Sequence, residues 1–421
     1  MAESGASAAG AGGGRQGTCL TKSECLQCNQ CCWRYLQAKL LDLRIQAGLE
    51  RSTLHMSALR EHSETKQSRY QALDGMRGLC AVLVALMHFD YVLGTGLLVK
   101  HGWLSVDVFF VLSGFVIAHK YEDRLQSRDG FFDFLAWRAA RLLPVQVLGT
   151  LAVAVSFAIL YLTGNLNVAG LGPGALTIAL VYGLLLIPIA LSPVAAAFSH
   201  WPRAFPINPP LWSLQAEWIV NLLYGRWFCR AGTRQLVLLW AVLSAGLAVH
   251  VLFGKKLWDL TIPLEFLPSL VRALIGFFAG VLLLRIHRRG LLEWLPSINP
   301  RVIYALWILV CLVPTQAPTP GFECIAALVL APASVALLVR GERPLPALYA
   351  SLGNLSYPLY ASHFAIFNLA SAWIAAGSVQ NLSWAFPLLF AALLLAWAIN
   401  RLAALLPALG GSRRVLTRGV A

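Results

Sequence analysis

Charged side chains are scarce: they make up 12% of the 421 residues, whereas 58% are hydrophobic. Ordinary soluble domains carry roughly 25% charged residues. So little charge excludes water as the solvent for most of this surface. The charges present also lack the arrangement that nucleic acid requires. The net charge is +14, but the basic clusters at Lys120 to Arg141, Arg226 to Arg234, Arg285 to Arg289, Arg340 to Arg343 and Arg413 to Arg418 punctuate apolar segments. No exposed basic face interleaved with aromatics is apparent, so nucleic acid is not expected as a partner.

Two further absences narrow the class. Residues 1 to about 18 are rich in Gly, Ala and Ser and hold no apolar core of a signal peptide, so nothing there is expected to be cleaved for export. A flexible cytoplasmic start suits this composition. Among nine cysteines, Cys25, Cys28, Cys31 and Cys32 have chelating spacing, yet no second ligand pair follows at zinc-finger distance, and no metal is expected. At a membrane surface the same thiols suit palmitoylation. Cys80, Cys229, Cys311 and Cys324 fall in or beside apolar runs, where a thiol behaves as a small hydrophobe. From Trp33 to about Ser68 the pattern is amphipathic, as for a short cytoplasmic helix leading to the membrane, and Met56 also suits a translation start.

What the chain has in abundance is long apolar runs, near or above the ~18–20 residues that cross a hydrocarbon core. They recur from about Leu79 to the end. Such runs predict an all-α, polytopic integral membrane bundle, because only helices and closed barrels satisfy their own backbone in lipid. The expected organisation is a cytoplasmic tail over 1–69, partly disordered and then helical, a membrane domain over 70–405, and a basic cytoplasmic tail over 406–421. Spans are expected near 75–97, 106–120, 141–163, 211–229, 235–253, 266–284, 302–315, 322–339, 348–375 and 383–404, with one more apolar stretch at 173–192. Counting eleven crossings places the later arginine clusters outside, whereas ten place them all inside, as the positive-inside rule asks. The stretch 173–192, interrupted by Pro188, is therefore expected to be re-entrant or interfacial. That leaves 164–210, with His200, Trp201 and Pro202, as an outward excursion where an acceptor arrives. Both termini are then cytoplasmic, in the cell's inner or plasma membrane.

Ionisable side chains inside such spans are expensive and mark candidate sites. Arg77 and His88 lie eleven positions apart on the first span, or roughly 16 Å along a helix, about the reach of a pantetheine arm. Arg138 and Arg141 lie one turn apart and can grip phosphate oxygens bidentately, as the phosphates of coenzyme A would need. Asp107 begins the second span, suited to orient a histidine or pair with a base; in the same segment Ser113 and Gly114 read as helix-packing residues. Glu217 sits in an apolar helix and wants a cationic or histidine partner. Trp212 and Ser213, one turn before it, together with Tyr357 and the lone charge Arg272, are candidate substrate contacts. His363, in the ninth span with Tyr357 and Tyr360, has the same standing as His88.

Five motifs in order, LDGMRGLCAVLVALMHF, GWLSVDVFFVLSGFVI, RAARLLP, PLWSLQAEW and SYPLYASHF, resemble the acyltransferase 3 family of membrane proteins that acylate surface polysaccharides and related glycans. The resemblance covers about residues 70–405. It implies that Arg77 and His88 form the functional arginine–histidine pair, that Arg138 and Arg141 serve the acyl-CoA site, and that Glu217 belongs to the family's tryptophan–serine–leucine–glutamate element. No fused extracytoplasmic esterase-like domain accompanies the motifs, which argues against the peptidoglycan-modifying branch. The expected activity is transfer of an acyl group, acetyl foremost, from acyl-CoA to a hydroxyl of a glycan, glycolipid or similar acceptor, within membrane lipid. In this scheme His88 is the general base, and Glu217 or Asp107 fixes its tautomer. A covalent acyl-histidine or acyl-serine relay is the variant scheme. A transporter or flippase is the competing class, since broken helices and mid-span polar groups also line substrate paths.

Overall fold

A computed structural model describes residues 71–94, 99–127, 130–164, 172–198, 204–253, 266–313, 320–341, 347–375 and 382–409. The tail 1–69 with its Cys25–Cys32 cluster, the residues after 409, and His200, Trp201 and Pro202 lie outside them.

The described residues are helical and contain no strand. In chain order the helices are α1 (Gln71–Leu93), α2 (Ser105–Leu125), α3 (Gly130–Leu162), α4 (Pro173–Leu184), α5 (Leu211–Arg226), α6 (Thr233–Leu252), α7 (Phe266–Arg288), α8 (Pro300–Leu312), α9, α10 (Ala347–Ala375) and α11 (Ala385–Leu409). Helix α9 is composite: Pro320–Ile325, a π segment at Ala326–Leu330, then Ala331–Arg340. Proline opens α4 and α8, where its missing N–H costs nothing, and the Asn299 side chain caps α8 by accepting from Arg301 N at 3.0 Å.

Among the described residues, seven helices are long and apolar enough to cross a membrane: α1, α2, α3, α6, α7, α9 and α11. The chain is therefore an integral membrane protein. Helices α5 and α8 are shorter than the expected spans, at 16 and 13 residues. Helix α4 departs most from expectation. It stops at Leu184 instead of reaching 192, so its 12 residues extend only about 18 Å of a core about 30 Å thick.

Helix directions settle what α4 does. Contacts Phe110–Trp212 and Ser113–Glu217 run in the same sense along α2 and α5, so those two helices are parallel. Between α3 and α5 the sense reverses, with Arg138 against Glu217 and Phe134 against Gly225. Helices α2 and α5 can be parallel only if α3 crosses and α4 returns to the side it left. The same parity holds for α2 with α7, through Asp107–Arg272 and Glu122–Arg285. The chain thus enters and leaves α4 on the same side of the bundle, as a re-entrant helix would, and protein groups hold its tip. Leu186 takes a left-handed φ of 53°, the Gln146 amide donates to Leu184 O at 3.2 Å, and the Gln215 amide donates to Leu186 O at 2.9 Å. Non-helical backbone at this depth survives only when protein groups satisfy it.

One consequence is a polar asymmetry. Arg124, Arg226, Arg230, Arg285, Arg288 and Arg340 all fall at the same end of the bundle, where α1, α3 and α10 begin. At that end Glu122 takes both Arg285, at 2.6 Å, and Arg288, at 3.0 Å.

Candidate active site

Two helix pairs approach closely because glycines remove the side chain between them. On α2 and α7, a Cβ at Gly114 would overlap the Phe277 carbonyl, and one at Gly280 would overlap that of Val111. Gly114 therefore serves packing, as expected from sequence. On α1 and α10, Gly78 faces Leu352 and Gly353 faces Asp74. These parallel helices then bring Arg77 to Ser356 at one level and His88 to His363 further along.

A cavity of about 420 Å³ opens among α1, α2, α3, α5, α10 and α11. Its charged wall consists of Arg77, Arg138, Arg141 and Glu217. Three guanidiniums against one carboxylate leave this wall with an excess of positive charge, even with Asp74 paired to Arg77. Arg77 donates to Ser356 Oγ at 3.2 Å and to Asp74 Oδ1 at 2.6 Å. Ser356 can accept because its own proton goes to Gly353 O, 2.6 Å away. Arg138 is buried and donates to Glu217 Oε1, and the Ser113 hydroxyl donates to the same oxygen at 3.1 Å. Arg141, one turn on, is exposed.

Elsewhere the wall is largely apolar, through Leu112, Val116, Leu142 and Val145, and it also includes Phe109, Ser213 and Tyr360. The Ser213 and Tyr360 hydroxyls lie 2.7 Å apart. Tyr357 lines the middle and donates to Leu142 O at 3.3 Å. Pro358, inside α10, cannot donate to the carbonyl of Asn354, and both residues line the cavity.

His363 follows one turn after Tyr360 and is fully buried. Its Nδ1 lies 3.0 Å from both Leu359 O and Tyr360 O. Carbonyls only accept, so Nδ1 carries the proton and the neutral ring presents a lone pair at Nε2. That nitrogen lies 3.2 Å from His88 Nδ1. His88 Nδ1 must then be the donor, a role that also suits Val84 O at 2.9 Å. With Nδ1 as the donor, the neutral His88 ring carries its lone pair at Nε2. Phe364 and Phe367 stand edge-on to the His88 ring, with centroids at 5.3 and 6.1 Å.

The family described as acyltransferase domain, acyltransferase 3, matches residues 70–401, nearly the whole described region. The chain belongs to the acyltransferase 3 family. Similar proteins include "Protein 2 in picA locus" of Rhizobium radiobacter, 36% identical over 195 residues, which covers 44% of this chain and 97% of that protein. The acyltransferase MdmB of Streptomyces mycarofaciens is 26% identical over 333 residues, 71% of this chain and 79% of that protein. No solved structure matches. Family membership makes the chain an acyltransferase, transferring groups other than aminoacyl groups.

Within this acyltransferase the residues singled out from sequence separate into three groups. Arg77, Arg138, Arg141, Ser213, Glu217 and Tyr357 share the cavity wall. His88 and His363 form their pair just beyond its end. Asp107, Arg272 and Trp212 sit apart from the wall. Arg272 is no lone charge: Nε and Nη2 each bond an Asp107 carboxylate oxygen at 2.8 Å, with both residues buried. Its guanidinium lies 5.8 Å from the Trp212 ring centroid, so that tryptophan backs the ion pair. Neither carboxylate expected to fix the His88 tautomer takes that role here: Glu217 holds Arg138, Asp107 holds Arg272, and His363 accepts from His88.

Sequence reasoning passed over Ser113 as packing, yet it bonds Glu217. Phe109 and Asn400 were also missed. Asn400, next to Arg401, is a polar side chain in a largely apolar last helix, the same signal that marked Arg272.

Proposed function

We propose that this acyltransferase moves an acyl group, acetyl foremost, from cytoplasmic acyl-CoA to a hydroxyl of a carbohydrate or glycolipid at the outer side of the membrane. One observation carries the reading: a single cavity runs from three arginines to within one helical turn of the His88–His363 pair. The end rich in arginine is the cytoplasmic one under the positive-inside rule, and both termini follow it there.

Coenzyme A phosphates rest against Arg77, Arg138 and Arg141, where bidentate, permanently charged donors match phosphate geometry. The pantetheine arm runs along the apolar throat, and the thioester reaches the far end. His88 Nε2 takes the proton of the acceptor hydroxyl as its oxygen attacks the thioester carbonyl carbon. The carbon–sulfur bond then breaks, the thiolate takes the proton back from His88, and the products are an ester and free coenzyme A. His363 keeps the Nδ1–H of His88 engaged throughout, so the lone pair stays at Nε2.

Mass spectrometry of surface glycans and lipids from cells with and without the gene tests this, alongside binding of acetyl-CoA to the purified protein. The expected result is an acyl increment lost with the gene and a saturable acetyl-CoA site. Identical acylation profiles together with no acetyl-CoA binding overturn the reading.

A further inference from the structure

Phe109 belongs to two neighbourhoods at once. It lines the cavity, and it packs against the buried cluster of Ala81, Ala85, Phe89 and Leu359. Phe367, whose ring faces His88, packs on the same cluster. The Phe109 ring stands edge-on to Tyr360, with centroids 5.5 Å apart. Tyr360 is itself tied on both sides, its hydroxyl to Ser213 at 2.7 Å and its carbonyl to His363 Nδ1 at 3.0 Å. Phe109 and Tyr360 together form the partition between the arginine-lined cavity and the histidine pair. Two residues before Phe109, the doubly bonded Asp107–Arg272 pair pins the same helix to α7.

We propose that Phe109 sets the length of the acyl group this enzyme accepts. The inference rests on the acyl-CoA reading above. Coenzyme A phosphates fixed at the arginines put the thioester at the partition, and the acyl carbons beyond the carbonyl must then enter volume that the Phe109 ring fills. A two-carbon group needs little of it. Each added methylene meets a ring backed by Phe89, Leu359 and Tyr360, and a close-packed interior does not yield without displacing several side chains. Acyl selection on this view lies in the membrane core, and the outer loops are left to select the acceptor.

The test is competition. Purified full-length protein in detergent is loaded with labelled acetyl-CoA, which is displaced with free CoA, acetyl-CoA, butyryl-CoA or octanoyl-CoA. The wild type is expected to bind butyryl-CoA at least tenfold more weakly than acetyl-CoA. In Phe109→Ala that ratio narrows at least tenfold and octanoyl-CoA becomes a competitor. Phe109→Trp shifts preference the other way, toward free CoA over acetyl-CoA. Phe109→Leu keeps an apolar side chain against the cluster, so it gives a smaller shift of the same sign and decides the matter if the alanine protein does not survive purification. An unchanged rank order in the alanine or leucine protein, with acetyl-CoA still bound, overturns this inference alone. A wild type that binds neither acetyl-CoA nor CoA overturns the donor reading and the inference with it.

Discussion

The His88 and His363 rings lie with centroids 5.1 Å apart, on parallel helices, and the carbonyls around His363 Nδ1 favour one arrangement of their protons. Two carbonyls claim the Nδ1 proton of His363, so its Nε2 must accept and His88 Nδ1 must donate. A histidine here holds the orientation that a carboxylate holds in the familiar triads. Being neutral, it fixes the tautomer of His88 while adding little to its basicity.

His88→Gln should therefore lower transfer per mole of folded protein by about 10²–10⁴, the usual contribution of a positioned base, with normal abundance. His363→Ala should cost less, since it removes the orienting acceptor and leaves the base in place. Turnover normalised to monodisperse protein checks both. Wild-type turnover in His88→Gln would remove the general-base role.

Arg138 and Arg141 should part company. Removing Arg138 strands the Glu217 carboxylate, and losing one member of a buried pair costs about 3–5 kcal/mol. The loss should lie toward the lower end, because 20% of the Glu217 side chain remains exposed. Arg141→Ala leaves that pair intact and should weaken acetyl-CoA binding by about tenfold or more, as a lost charge-assisted bond does. Thermal melting in detergent beside equilibrium binding separates the two effects. Equal melting temperatures for Arg138→Ala and wild type would contradict the pairing.

Asp107 and Arg272 should behave as structure. Asp107→Ala or Arg272→Ala leaves a buried charge without its counterion and should destabilise by about 3–5 kcal/mol. Asp107→Leu with Arg272→Met should recover most of that, since an apolar pair of similar volume removes both charges together. If the double variant is stable but cannot transfer acyl groups, while binding acetyl-CoA normally, the pair also acts on the acceptor.

How much of this was legible in sequence follows from the range of each interaction. The helices were visible as apolar runs, and His88, Glu217 and His363 stood out because polar groups in such runs are costly. Their partners were not visible. His88 and His363 are 275 residues apart, and Asp107 and Arg272 are 165 apart. Which ionisable group meets which depends on helix order in space, and no local pattern encodes that order. The tip of α4 was hidden for another reason. A leucine in the left-handed region is unusual, and Leu186 adopts it where Gln146 and Gln215 capture the carbonyls around it.

The re-entrant path of α4 makes the most direct topological prediction. Its 12 residues cannot span the core, and the parallel packing of α2 with α5 requires the chain to leave by the face through which it entered. Positions flanking α4 should then be open to the same compartment, although an apolar stretch separates them. With native cysteines replaced, Gly164→Cys before α4 and Val194→Cys after it should both react with a membrane-impermeant maleimide in intact cells. Arg230→Cys and Arg289→Cys, at the arginine-rich end, should react only after the membrane is opened. A fully crossing α4 predicts the opposite for Val194→Cys, and for every loop after it the sides would exchange. Labelling at Arg289→Cys from outside, with Val194→Cys protected, would therefore overturn the ten-crossing arrangement and move the arginine clusters after 226 out of the cytoplasm.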